Sequence, residues 1–243
     1  MTQPSLRTLT TWWDSLPRVW QYVLAHQSFH NWSQCGECGN TFDRTCPIPV
    51  TATQLRAIYQ LSNIRVQFHA DTIGYDFTLD LMPLTFLPRL RRLSLNYVSL
   101  ATLEPLSQIK GLQELILTGA WFYDSFNEHA TLEPLQHLKQ LVTLVMTPRL
   151  GRLEINLEII ASLHRLHYLR LCDTTVSHIY SLAPLNRLQH LVELDVSGCS
   201  ITTIADVWQL PLKVLYLPTH IPESHIDEYR RHHPECRVVV HPS

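Results

Sequence analysis

Two rhythms of apolar residues alternate along the chain from about residue 60 to residue 218. The first is a pair of large aliphatics separated by one residue. It reads Leu93 and Leu95, Leu115 and Leu117, Leu144 and Met146, Leu169 and Leu171, Leu194 and Val196, then Leu215 and Leu217, with Ile64 and Val66 as a weaker earlier member. A period of two predicts a short strand with one buried face. The second rhythm places apolar residues at three-residue steps, often around Pro-Leu, as in Leu81-Met-Pro-Leu84, Leu103-Glu-Pro-Leu106, Leu132-Glu-Pro-Leu135 and Leu182-Ala-Pro-Leu185. Leu157-Glu-Ile-Ile160 is a copy without the proline, and Ile204-Ala-Asp-Val207 a degenerate one. Period three suits a 3₁₀ or tight helical return, in which every third side chain eclipses. Successive strand pairs are 29, 22, 29, 25, 25 and 21 residues apart. Each unit buries about six aliphatic side chains at about 1.5–3 kcal/mol each, against the entropy of ordering its backbone. One unit alone loses that contest, and a stack sharing a continuous core wins it.

This Leu-x-x-Leu-x-Leu frame, with its Leu-Glu-Pro-Leu-x-x-Leu-x-x-Leu variant, resembles leucine-rich repeat proteins of the short-repeat class, SDS22-like or internalin-like. The resemblance covers about residues 60–218. It implies an α/β solenoid: a curved horseshoe with a parallel β-sheet on the concave face, short returns on the convex face, and a role in binding proteins. The family's asparagine position, beyond each strand, reads Val98, Ala120, Thr174 and Cys199 here. Valine and alanine depart from the pattern and imply a weaker hydrogen-bonded ladder at those turns.

The flanking regions read as caps, giving residues 1–60 as an N-terminal helical cap, 61–218 as repeats and 219–243 as a C-terminal cap. Trp13, Leu16, Trp20, Val23 and Leu24 fall at helical spacing over residues 10–26, and a second helix is expected from Thr53 with Leu55, Ile58, Tyr59 and Leu61 on one face. At the other end, Ile221-Pro222 opens a helix with acids in its first turns, followed by Arg237 to Val240 as a last strand. The Trp12-Trp13-x-x-Leu16 and Ile221-Pro222-x-x-x-Ile226 segments also resemble bacterial leucine-rich repeat proteins.

Composition narrows the class. Of 243 residues, 45% are hydrophobic and 16% charged, and 40 are leucine. That is too apolar for a disordered chain. A formal charge of −2 offers no electrostatic footprint for nucleic acid or an anionic membrane. No apolar run reaches 18 residues and the first residues lack a basic start and apolar stretch, so the expectation is a cytoplasmic protein.

Partner-binding candidates come from two places. Residues flanking the buried leucines of each strand point to the open face, which gathers Arg65, Arg92, Ile116, Val145, Tyr168, Arg170 and Tyr216, including residue types enriched at binding hot spots. The chain is also seven residues longer than the 22-residue unit between Val66 and Leu81 and between Leu117 and Leu132. The second insertion carries Trp121, Phe122, Tyr123 and Phe126, expected in a protruding recognition loop or folded back against each other. The partner is expected to be a protein, with self-association as an alternative role for that loop.

Cysteine spacing supplies the one candidate for chemistry. Cys35-Gly-Glu-Cys38 has the gap of a zinc half-site, with Cys46 and His30 or His26 as further ligands. A second close cysteine pair is missing, so no cofactor is expected, with a structural zinc or a thiol function at this cluster as the alternative. No Gly-x-Ser-x-Gly, phosphate-cradling glycine loop or His-x-x-x-His pair with a flanking acid appears, and no enzyme activity is expected.

Overall fold

The computed structural model describes residues 3–28, 48–67, 78–122, 131–148, 150–151, 153–173 and 178–241. In chain order these form α1 (Leu6–Ser15), α2 (Arg18–Ser28), α3 (Ala52–Tyr59), β1 (Asn63–Gln67), β2 (Thr78–Leu79), β3 (Arg92–Asn96), β4 (Ser99–Leu100), β5 (Glu114–Thr118), β6 (Trp121–Phe122), β7 (Thr143–Thr147) and β8 (Leu150–Gly151). They continue with α4 (Leu157–Ala161), β9 (Tyr168–Cys172), β10 (Glu193–Gly198), β11 (Val214–Pro218), α5 (Glu223–His232) and β12 (Arg237–His241).

Every Leu-x-Leu pair lies in a strand of one eight-stranded parallel sheet, in the order β1-β3-β5-β7-β9-β10-β11-β12. The strands stack in strict repeat order, so Leu93, Leu115, Leu144, Leu169, Leu194 and Leu215 align across it and are all fully buried. The Pro-Leu returns are short 3₁₀ helices at Met82–Phe86, Glu104–Gln108, Glu133–His137 and Ala183–Arg187. Each is closed by i to i−3 bonds such as Leu84 N–H to Leu81 O at 3.0 Å and Leu87 N–H to Leu84 O at 3.0 Å. Proline near the start of each return fixes φ where no donor is needed. Of the two copies without proline, Leu157–Ala161 forms the single α-turn α4, with the Asn156 side chain accepting from Glu158 N–H, while Ala205–Val207 remains a short 3₁₀ helix.

The two-residue strands β2, β4, β6 and β8 make a second parallel sheet that the periodicity does not announce. Between the two sheets the backbone turns through left-handed conformations at Tyr97 (φ 55°) and Gly119 (φ 60°). The Tyr97 ring covers Gly119 so closely that an added Cβ would stand 2.6 Å from it, which leaves room for glycine alone. Val98 and Ala120, the departures at the asparagine position, are buried. The ladder holds there through the main chain, with Tyr97 N–H to Thr118 O at 2.9 Å and Trp121 N–H to Val98 O at 3.0 Å. Cys199 donates its thiol to Leu171 O at 3.5 Å.

The N-terminal cap corrects one expectation. Residues 10–26 form parts of two helices, because Pro17 lacks an N–H and ends α1 at Ser15. The buried Gln21 side chain spans the break, donating to Trp13 O at 2.7 Å. Trp13 and Trp20 plug the end of the leucine core, their indole N–H groups donating to Ile48 O at 3.3 Å and Asp80 O at 2.5 Å. Thr51 and Gln54 form a capping box that starts α3. At the far end α5 buries Ile226 and Tyr229, and β12 adds in parallel to β11, as its sequence predicts.

Candidate functional site

Side chains alternate across a strand, so burying one set of leucines presents the other set on the open face of the large sheet. Strand register turns these into ladders. The central one runs Arg65, Ser94, Ile116, Val145, Arg170, Asp195, Tyr216 and Val239, one residue per strand from β1 to β12. Beside it runs a second ladder of Asn63, Arg92, Glu114, Thr143, Tyr168, Glu193, Val214 and Arg237. Thus Arg65, Arg92, Ile116, Val145, Tyr168, Arg170 and Tyr216 share one continuous surface, although they span more than 150 residues of sequence.

The face is not uniform. Ile116 and Val145 are direct neighbours, both half-buried, and form a small apolar centre. On the β1 side stand the exposed Arg65 and Arg92. Toward β12 the side chains hold one another: Arg170 Nε lies 3.1 Å from Asp195 Oδ2, and Asp195 Oδ1 accepts from Ser197 N–H at 3.0 Å and Ser197 Oγ at 2.6 Å. Arg237 donates to Tyr216 Oη at 3.3 Å. Asp195 is buried at 6% exposure, a member of the face that its residue type does not advertise. Burial, then the Asp195 and Glu193 carboxylates, push the Tyr168 hydroxyl above its ordinary pKa, against the opposing pull of Arg170. Tyr168 therefore stays protonated and remains a hydrogen-bond donor through the neutral range. Burial likewise raises the Cys172 thiol at the edge of the same face, which keeps it a weak nucleophile.

The aromatic insertion differs from expectation at its start. Trp121 and Phe122 do not protrude; they form β6 inside the small sheet, paired with Ser99 and Leu100. Phe122 is buried at 4% exposure and packs in the core, because its outward alternative would expose a full ring, so its assigned contact role is corrected to a packing one. Trp121 keeps partial exposure. Tyr123 and Phe126 lie outside the described residues, as do Cys35, Cys38, Cys46 and His30. Among the described residues no group of three or more His, Cys, Asp or Glu side chains is placed to hold a metal ion. No helix among them is long and apolar enough to cross a membrane.

No protein-family model and no curated protein matches the chain. Solved structures do. The crystal structure of internalin C2 from Listeria monocytogenes is similar over 80% of this chain and 84% of its own, with 18% identity and a TM-score of 0.52. A leucine-rich repeat protein of Leptospira interrogans is similar over 76% of this chain and 56% of its own, with 17% identity and the same TM-score. At such identity the likeness concerns the fold, and it agrees with the repeat frame read from the residues. The chain is a leucine-rich repeat solenoid.

Proposed function

We propose that the chain is a non-enzymatic protein-binding module whose contact surface is the open face of the eight-stranded sheet. The observation that carries this reading is the ladder itself. Eight consecutive strands set one row of side chains side by side, with an apolar Ile116–Val145 centre, Tyr168 and Arg170 on β9, and Tyr216 two strands further on β11. A repeat scaffold holds such residues rigid, so little ordering entropy is lost when a partner docks. Tyrosine and arginine supply broad contact area with a polar end, the chemistry common at the centres of protein interfaces. The pre-formed Arg170–Asp195 pair keeps the guanidinium oriented without burying it, its side chain remaining 48% exposed. Trp121, which keeps partial exposure in the small sheet, is proposed as a further contact, together with Tyr123 and Phe126 that follow it in the sequence.

The test is affinity capture with the folded chain beside a Tyr168→Ala/Tyr216→Ala variant and a His164→Ala/Arg165→Ala control on the exposed returns, each checked by circular dichroism. A protein captured by wild type and control, and lost by the face variant, supports the reading. Equal capture by all three moves the contact away from the open face and refutes it.

A further inference from the structure

The two edges of the large sheet are finished differently. An edge strand carries a row of main-chain donors and acceptors with no strand beside it. At β1, the outward N–H and C=O of Arg65 are both taken by the Gln27 amide, which donates to Arg65 O at 3.1 Å and accepts from Arg65 N–H at 3.4 Å. A side chain there imitates a neighbouring strand. At β12, Arg237 N–H bonds back to Lys213 O at 2.9 Å, and the alternation of a parallel ladder then turns the N–H and C=O of Val238 and Val240 outward. The sheet order ends at β12 among the described residues. The strand carries no proline, acid or lysine, the usual devices that blunt an edge, and Val238, Val239 and Val240 are all half-buried.

We propose that β12 is a self-association edge, pairing antiparallel with β12 of a second copy about a two-fold axis at Val239. The occupant follows from self-complementarity. An antiparallel register with Val239 opposite Val239 of the second copy sets Val238 opposite Val240, so outward groups meet outward groups in two hydrogen-bonded pairs. Val238 and Val240 extend the leucine core across the junction, while Val239 meets its equivalent on the open face. The register sets Arg237, the one arginine of the strand, opposite His241 of the second copy, so the two arginines do not face each other. The Gln27 cap occupies the central outward pair of the other edge, which disfavours further addition there, so the assembly is expected to close as a dimer. A five-residue edge covers far less than the roughly 800 Å² per partner of a standard interface, so pairing is weak and concentration-dependent. In the dimer the two open faces become one sixteen-stranded surface, which presents the proposed protein-binding site twice.

The experiment is sedimentation velocity of the full chain from about 1 to 200 µM, a range suited to a small interface. Wild type is expected to shift from monomer to dimer. Val238→Pro removes one outward N–H without touching the β11 ladder and should raise the dissociation constant at least about tenfold. In parallel, Val239→Cys places two thiols on a non-hydrogen-bonded antiparallel pair, where Cα atoms stand about 4.5 Å apart, within disulfide range. Mild oxidation should then give a covalent dimer absent from oxidised wild type. This second variant keeps the proposal testable if Val238→Pro fails to fold. A wild type that stays monomeric across the range, a folded Val238→Pro that dimerises as well as wild type, or a Val239→Cys that does not cross-link would each overturn it.

Discussion

The N-terminal and C-terminal ends of the leucine core face the same physical problem and solve it by different means. Each must cover a stripe of apolar side chains that a middle repeat would bury against its neighbour. The N-terminal end uses three helices, two buried tryptophans and one side-chain amide that satisfies the edge strand. The C-terminal end uses one helix and one more strand, which covers the core yet leaves a new edge. Helices terminate a solenoid because their backbone groups are satisfied internally, apart from the first and last turns. A strand passes the unsatisfied row one step outward. The comparison teaches that covering a core and closing a sheet are separate requirements.

Trp20→Ala should show the largest effect of this contrast. Trp20 is fully buried and its indole bonds Asp80 O, so truncation leaves a cavity at the end of the core and should cost about 3–5 kcal/mol in urea unfolding. At the other end, Tyr229→Phe should change stability by less than about 1 kcal/mol, because the buried hydroxyl makes no well-formed hydrogen bond. If Tyr229→Phe cost as much as Trp20→Ala, the two caps would not differ as described. Gln27→Ala should cost about 1 kcal/mol, since the edge bonds it loses are partly exposed. The same variant opens the β1 edge, so sedimentation should reveal larger species than wild type forms at equal concentration.

The smallest effect is a pH dependence confined to the C-terminal cap. His233 stacks on Tyr229 at 4.3 Å and packs against Trp208. Burial, and then the neighbouring His232, hold its pKa below the ordinary 6.5. The unfolded chain therefore binds the proton more readily than the folded one. The resulting stability is present above about pH 6.5 and is lost as pH falls through the folded-state value. Protection factors at α5 and β12, corrected for the pH dependence of intrinsic amide exchange, should fall slightly from about pH 7.5 to about 5.5, and His233→Gln should abolish that change.

The repeat frame was legible because its two periods are short and occur six times over, with leucine at nearly every buried position. The strand at Arg237 to Val240 was legible from its run of three β-branched valines. The small sheet was not: two-residue strands such as Thr78–Leu79 carry no period, and their pairing exists only once the large strands fix the register. Phe122 was misplaced for that reason, since an aromatic after a strand reads as a protruding loop unless a second ladder claims it. The break at Pro17 was available in the sequence, yet the helical spacing of Trp13, Leu16 and Trp20 runs through it unchanged. Asp195 reads as an ordinary outward polar residue; its burial depends on Arg170 one strand away.

By itself the sequence determined the repeat, the stacking direction and the residues of the buried stripe, because hydrophobic periodicity is a local property that each unit restates. Only the tertiary structure decided which outward residues stand together and which edge is closed. Those are relations between strands 20 or more residues apart, set by register and by single side chains such as Gln27 and Asp195, and no local pattern encodes them.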